Sequence, residues 1–133
     1  MSNVEHIGIA VRDIEHSCVI YEALLSMPLY KTEEISSEGV LTAFFQSGSC
    51  KIELLQAINE QSAIHKFIEK NGEGLHHIAI KVEDIFSEIQ RLSDSGFQFI
   101  STEPKKGADN KLVCFIHPKS ANGVLFELCQ DCE

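Results

Sequence analysis

Two histidines and two glutamates stand where their side chains could bind a metal ion. His6 lies in the apolar segment HIGIAV and His77 in HIAIKV, while Glu53 and Glu127 lie inside the apolar segments KIELL and LFELC. A carboxylate among apolar strand residues is costly to bury unless it is paired or bound to a metal. Two imidazoles and two carboxylates form a nitrogen and oxygen ligand set, which suits Co²⁺, Mn²⁺, Ni²⁺ or Zn²⁺ better than an ion preferring thiolates.

Both histidines are predicted to lie on β-strands, because aliphatic residues alternate with others along each segment. Side chains of a strand point alternately to opposite faces, so isoleucines and a valine form one face and the histidine lies on the other. The aliphatic face is expected to pack against a helix. The histidine face carries small residues, Gly8 and Ala10 in the first strand, which leave room for a ligand.

The strand and helix recur along the chain. HIGIAVRDI at 6–14 and HIAIKVEDI at 77–85 are 71 residues apart and identical at six of nine positions. Each is followed by an amphipathic pattern typical of a helix, with Asp13 or Asp84 placed as its N-cap. CKIELLQ at 50–56 resembles VLFELCQ at 124–130, with Glu53 matching Glu127. The repeat predicts two modules, each a strand, a helix and three strands.

We therefore predict an α+β fold of two tandem βαβββ modules, about 3–58 and 74–131, within one domain over 1–133. A short helix at about 61–70 is expected to join the modules.

Composition narrows the function. The net charge of −9 argues against a nucleic-acid partner, since phosphate contacts need a basic surface. No apolar run approaches the roughly 20 residues of a membrane span, and no secretory leader is seen. The five cysteines form no recognisable disulfide framework, so a cytoplasmic protein is expected.

Some features keep two interpretations. The lysines at 105, 106, 111 and 119 lie in a stretch with one acid, Asp109, and could bind an anion or form a solvated loop. His117 could contact a substrate or have a structural role in a turn. Cys129 and Cys132 have C-x-x-C spacing without a second pair, so we expect no metal or redox role for them.

The chain resembles the vicinal-oxygen-chelate superfamily of glyoxalase-like metalloenzymes over nearly its whole length. HIGIAV and KIELL carry the general resemblance. Three further segments resemble the methylmalonyl-CoA epimerase branch: FIEKNGEGLHHIAIKVEDI, EPKKGADN and HPKSANGVLFELCQ.

That resemblance implies a divalent metal, cobalt first and Mn²⁺, Ni²⁺ or Zn²⁺ as alternatives, bound by His6, Glu53, His77 and Glu127. It also implies interconversion of (2R)- and (2S)-methylmalonyl-CoA, an acyl-CoA substrate and commonly a homodimer. Some epimerases carry a glutamate, proposed as one of two bases, on the strand where this chain has Thr42. The second base is therefore open here.

The implied mechanism is metal-assisted proton abstraction through an enolate. Glu127 is the expected base on one side of the substrate carbon, while Glu53 and a bound water are the candidates for the other. Thr42 and His117 are candidate substrate contacts, and Lys105, Lys106 and Lys119 are candidates for the CoA phosphates.

Two alternative functions stay open. Lactoylglutathione lyase (glyoxalase I) would use the same four ligand positions on a glutathione hemithioacetal. A metal-free binding or drug-resistance protein of the same fold would need none of them as ligands.

Overall fold

The computed structural model describes residues 3–132. Its first half contains β1 (Asn3–Ala10), α1 (Ile14–Leu25), β2 (Lys31–Ile35), β3 (Val40–Ser47), β4 (Cys50–Ala57) and α2 (Ala63–Asn71). Its second half contains β5 (Gly74–Lys81), α3 (Ile85–Asp94), β6 (Lys105–Lys106), β7 (Lys111–Ile116) and β8 (Phe126–Asp131), with 3₁₀ helices at Ala108–Asn110 and Pro118–Ala121. None of the helices within 3–132 is long and apolar enough to cross a membrane.

The chain divides into two compact units. The first unit is His6–His76, and the second unit comprises residues 3–5 and 77–132 of the described chain. The strand, helix and three-strand order predicted for each half is confirmed. The predicted module limits, about 3–58 and 74–131, and the single domain stay predictions.

In the His6–His76 unit the strands lie in the order β2-β3-β4-β1. β1 and β4 are parallel, whereas β2, β3 and β4 pair antiparallel. α1 packs through Ile14 and Cys18 against Phe45 and Leu54 on one sheet face. As predicted, His6 is on the other face, because Gly8, two residues along β1, lies beside Glu53 rather than beside the core residue Leu54.

The second unit repeats this plan with the strand order β5-β8-β7-β6. β5 and β8 are parallel, and β7 pairs antiparallel with both β8 and β6. α3 packs through Ile85 and Ile89 against Cys114 and Leu128. The opposite face carries Ala79 and Glu127 side by side in the register of β5 and β8.

Helix ends follow the side chains that satisfy the terminal N–H groups. Asp13 accepts from the His16 amide, and Asp84 accepts from two amides of α3, as their predicted capping role requires. The linking helix begins later than predicted, at Ala63, because the Ser62 hydroxyl caps it by accepting from the Ile64 amide.

A glutamine side chain binds the first backbone amide of α1 and another binds that of α3. The side-chain oxygen Oε1 of Gln56 accepts a hydrogen bond from the Ile14 amide at 2.7 Å. Oε1 of Gln130 accepts from the Ile85 amide at the same distance. Each glutamine lies three residues after a candidate glutamate ligand, on the parallel strand that neighbours the first strand of its module. These bonds tie the first turn of each helix to the strand that carries the glutamate.

We predict that Gln130→Met lowers the free energy of unfolding by about 1 kcal/mol, because the buried Ile85 amide loses its acceptor while side-chain size is kept. Urea-induced unfolding measures the change. Gln90→Met is the matched control, since Gln90 is exposed and bonds only to the surface residue Asp94 among the bonds described. Equal stability of the Gln130 variant and the wild type would contradict this role.

α2 covers the end of the first unit's sheet with an aromatic contact. Ile64 packs with Ala10 and Leu55, and Phe67 meets the His76 ring edge to face, with the ring centres 4.9 Å apart. Burial lowers the pKa of His76 to about 4, because desolvation disfavours the charged imidazolium.

This depressed pKa predicts acid sensitivity. The unfolded chain protonates His76 near its ordinary pKa of 6.5 and the folded chain only near 4. Stability is therefore fully present above pH 6.5 and is lost as pH falls toward 4, by about 2–3 kcal/mol. Unfolding measured across this range should show a shallower decline for His76→Leu than for the exposed control His16→Leu. An unchanged slope in His76→Leu would contradict the assignment.

Candidate metal centre

The first candidate pair lies on parallel strands of the His6–His76 unit. His6 Nδ1 stands 3.1 Å from Glu53 Oε2, and both side chains are almost fully buried. Phe44 lies opposite Glu53 on β3, so the carboxylate faces an aromatic side chain. The two sequence-predicted residues of this unit are therefore brought together.

The second pair occupies the equivalent strands of the other unit. His77 Nε2 stands 3.4 Å from Glu127 Oε1, and both side chains are again buried. Phe115 lies opposite Glu127, and the His77 ring meets the Phe115 ring edge to face at 6.0 Å. The same combination of histidine, glutamate and phenylalanine thus occurs twice, as the repeated sequence predicts.

The donor atoms fit a divalent ion. Ions such as Zn²⁺ hold nitrogen and oxygen ligands at about 2.0–2.2 Å, so neighbouring ligand atoms stand about 3.0–3.4 Å apart. The separations of 3.1 Å and 3.4 Å match that spacing.

Thr42 lies on the glutamate face of the first unit. It is fully buried opposite Leu55, which follows Glu53 by two residues. Its Oγ1 has no hydrogen-bond partner within residues 3–132. A buried hydroxyl is normally paired, and an exception calls for an explanation. The predicted substrate contact at Thr42 thus coincides with a polar atom that lacks a partner.

The lysine group predicted from the sequence divides into two kinds. Lys105 and Lys106 are exposed on β6, and Lys119 is exposed in the second 3₁₀ helix. Lys111 is buried instead, with its Nζ bonded to Asp131 and 3.7 Å from Glu5.

Anion binding by Lys111 is therefore wrong as an interpretation, because its charge is engaged by two carboxylates. Hydrogen bonds from Lys111 and then Lys81 hold the pKa of Asp131 below its ordinary value.

His117 has a local structural role. Its Nδ1 accepts a hydrogen bond from the Lys119 amide at 3.1 Å and caps the 3₁₀ helix at Pro118–Ala121. This is the turn interpretation that the sequence left open. Contact of His117 with a substrate stays a prediction.

One cavity lies away from these residues. It has a volume of about 340 Å³ in the first unit and is lined by Val11, Arg12, Ala57, His65, Ile68 and Glu69. His65 Nε2 lies 3.3 Å from Glu69 Oε1, because residues four apart in sequence are neighbours on a helix.

Comparison with known families gives a match over most of the chain. The family model described as Glyoxalase/Bleomycin resistance protein/Dioxygenase superfamily matches residues 5–115. An uncharacterized Bacillus subtilis protein is 42% identical over 130 residues, covering 98% of this chain and 93% of that protein.

Two further relatives have named activities. The ethylmalonyl-CoA/methylmalonyl-CoA epimerase of Cereibacter sphaeroides is 39% identical over 132 residues, covering 98% of each chain. A variant of the Streptomyces coelicolor methylmalonyl-CoA epimerase, solved in complex with 2-nitronate-propionyl-CoA, superposes with a TM-score of 0.91. It is 32% identical, with 98% of this chain and 94% of that chain covered.

We predict that Co²⁺ stabilises the protein through the two histidine–glutamate pairs. Binding to the folded state alone adds about 2.7 kcal/mol at a free metal concentration 100 times the dissociation constant, so Tm should rise by roughly 5–10 °C. EDTA should reverse the rise, and His6→Ala or His77→Ala should abolish it. His65→Ala, which removes a half-exposed histidine of α2, is the control, and a full rise in either site variant would contradict the ligand assignment.

Proposed function

Since the chain belongs to the Glyoxalase/Bleomycin resistance protein/Dioxygenase superfamily, we propose that it is a metal-dependent epimerase of methylmalonyl-CoA. The resemblance and the fold class predicted from the sequence are confirmed by the family match and by structural neighbours over nearly the full chain. Epimerases of methylmalonyl-CoA are among its relatives at 33–39% identity.

The observation that carries the proposal is the repeated buried pair of an imidazole and a carboxylate. A buried carboxylate needs a cation or hydrogen bonds, and each unit supplies an imidazole at metal-ligand spacing. We propose that both pairs bind the same divalent ion, Co²⁺ in the first place, with Mn²⁺, Ni²⁺ or Zn²⁺ as alternatives. Such an ion, when bound, withdraws electrons from carbonyl oxygens and stabilises negative charge next to them.

The protein's own contribution is to position and move a proton. The alpha carbon of the substrate lies between a thioester and a carboxylate, so its proton can be removed to give an enolate. Glu127 is proposed to accept that proton at a carboxylate oxygen. Phe115 lies beside it, and the side chain of Glu127 is only 7% exposed, so little water competes. A base in such a site contributes about 10²–10⁴-fold to the rate. Glu53 stays the second proposed catalytic carboxylate.

The ligand of the Streptomyces coelicolor relative supports this chemistry. A nitronate is the planar conjugate base of a nitroalkane, so it resembles the enolate that proton removal from an acyl-CoA would form. Electrostatic groups placed where charge develops stabilise such a species. The acyl-CoA substrate proposed here rests on that similarity and on the epimerase relatives.

We propose that the exposed lysines Lys105, Lys106 and Lys119 contact CoA phosphates, with Thr42 and His117 near the acyl group. We also propose that the protein is a homodimer, as the family resemblance implies, and that it works in the cytoplasm, as its cysteine content led us to expect. Lys105 and Lys106 are both exposed on β6, the edge strand of its unit.

Incorporation of solvent deuterium into methylmalonyl-CoA tests the function. The cobalt-loaded protein should exchange the alpha proton rapidly, and removal of metal by a chelator should stop the exchange. Glu127→Gln should lower the exchange rate at least about 100-fold even with metal bound, because an amide cannot accept the proton at neutral pH.

Glu103→Gln is the control for that variant, since Glu103 is an exposed carboxylate of the same unit. Absence of exchange in wild-type protein shown to contain metal would contradict the proposed function. Turnover of the methylglyoxal–glutathione hemithioacetal would then favour glyoxalase I, and absence of bound metal would favour a binding protein.

A further inference from the structure

Lys111 is a buried lysine held by carboxylates from two other strands. Its Nζ is bonded to Asp131, which lies opposite it in the register of β7 and β8, and stands 3.7 Å from Glu5 Oε2. Asp131 Oδ2 also lies 3.0 Å from Lys81 Nζ. These four residues, which we call the charged cluster, all belong to the second unit and come from four different strands.

Three members of the charged cluster lie on the sheet face that carries the candidate ligands of this unit. Lys81 follows His77 by four residues on β5, and Asp131 follows Glu127 by four residues on β8. Side chains an even number of residues apart on a strand point to the same face, and four residues span about 13 Å. Lys111 shares this face because it lies opposite Asp131.

Packed side chains connect the charged cluster to the candidate ligands. Between them lies a buried apolar group, which comprises Ala79, Val113 and Cys129. Phe115 packs against this group, and its ring meets the His77 ring edge to face at 6.0 Å. Closely packed interiors transmit strain, because they contain few voids into which side chains can move. The spacing of β5 and β8 at the charged cluster therefore affects their spacing at the ligands.

The first unit fills the equivalent strand positions with apolar residues. Val40 lies opposite Ala57 as Lys111 lies opposite Asp131. Val40 and Ala57 pack with Ile64 of α2. Replacing a buried ion pair by well-packed apolar residues is often neutral or stabilising, because the ions lose their hydration on burial. Packing alone therefore does not explain the charges of the second unit. A hydrogen-bonded ion pair differs from an apolar contact in that it fixes a distance and a direction.

We propose that Lys111 is a positioning residue of the metal centre, an inference that rests on the metal-dependent function proposed above. Lys111 holds Asp131, and Asp131 in turn holds Lys81. This chain of ion pairs fixes the spacing of β8 and β5, and with it the 3.4 Å separation of His77 and Glu127. Mutation of residues that orient metal ligands without touching the metal typically lowers metal affinity by about 10–100-fold.

The sign of the effect separates positioning from simple electrostatics. By Coulomb's law, loss of a positive charge favours the binding of a cation nearby. If Lys111 acted through its charge alone, Lys111→Met would bind Co²⁺ more tightly than the wild type. A positioning role predicts the opposite, because the ligand atoms of the variant are less well placed.

Isothermal titration with Co²⁺ and the visible absorption of the bound ion test the proposal. Lys111→Met should raise Kd for Co²⁺ at least about 10-fold and change the absorption bands, which report the ligand geometry. Lys81→Met removes the half-exposed partner of Asp131 and should raise Kd by about twofold to fivefold, because exposed ion pairs contribute little. Lys66→Met is the matched control, since it removes an exposed lysine of α2, and its Kd should equal that of the wild type.

Urea-induced unfolding shows which variants fold. If Lys111→Met has no cooperative transition, Lys81→Met decides, and a Kd at or below the wild-type value would overturn the proposal. In folded Lys111→Met, an unchanged or lower Kd, or an unchanged absorption spectrum, would also overturn it. A wild type that binds no Co²⁺ would overturn the metal-dependent function and this inference together. A wild type that binds Co²⁺ without exchanging the alpha proton of methylmalonyl-CoA would overturn the epimerase function alone.

Discussion

Each compact unit buries one glutamate carboxylate on a strand face. Glu53 and Glu127 both lie on strands whose other face packs against a helix, so they cannot reach bulk water. Each is held beside an imidazole at 3.1 Å or 3.4 Å. A buried charge left without a compensating partner typically costs about 3–5 kcal/mol. A divalent ion answers this constraint because it supplies the positive charge that a neutral imidazole does not.

The surrounding fold fixes those carboxylates in place. Parallel pairing of β1 with β4, and of β5 with β8, sets each glutamate beside the strand that carries the histidine. Gln56 and Gln130 then bind the first amides of α1 and α3, three residues beyond the glutamates. The helix start, the parallel strand and the candidate ligand therefore form one connected group in each unit.

Sequence reasoning predicted the features that repeat and missed those that do not. The internal repeat, with offsets of 71 residues for the histidines and the aspartate caps and 74 for the glutamates, identified both histidine–glutamate pairs, because a duplicated pattern is visible without coordinates. The burial of Lys111 was missed, because it depends on the register that places Asp131 opposite it.

X-ray absorption spectroscopy of the cobalt-loaded protein reports the atoms bound to the metal independently of turnover. We predict one ion per chain with only nitrogen and oxygen ligands at about 2.0–2.2 Å. The multiple-scattering signal should correspond to two imidazoles, and each of His6→Ala and His77→Ala should remove part of it. A sulfur ligand at about 2.3 Å, or a spectrum unchanged by either substitution, would contradict the assignment of the metal to these two pairs.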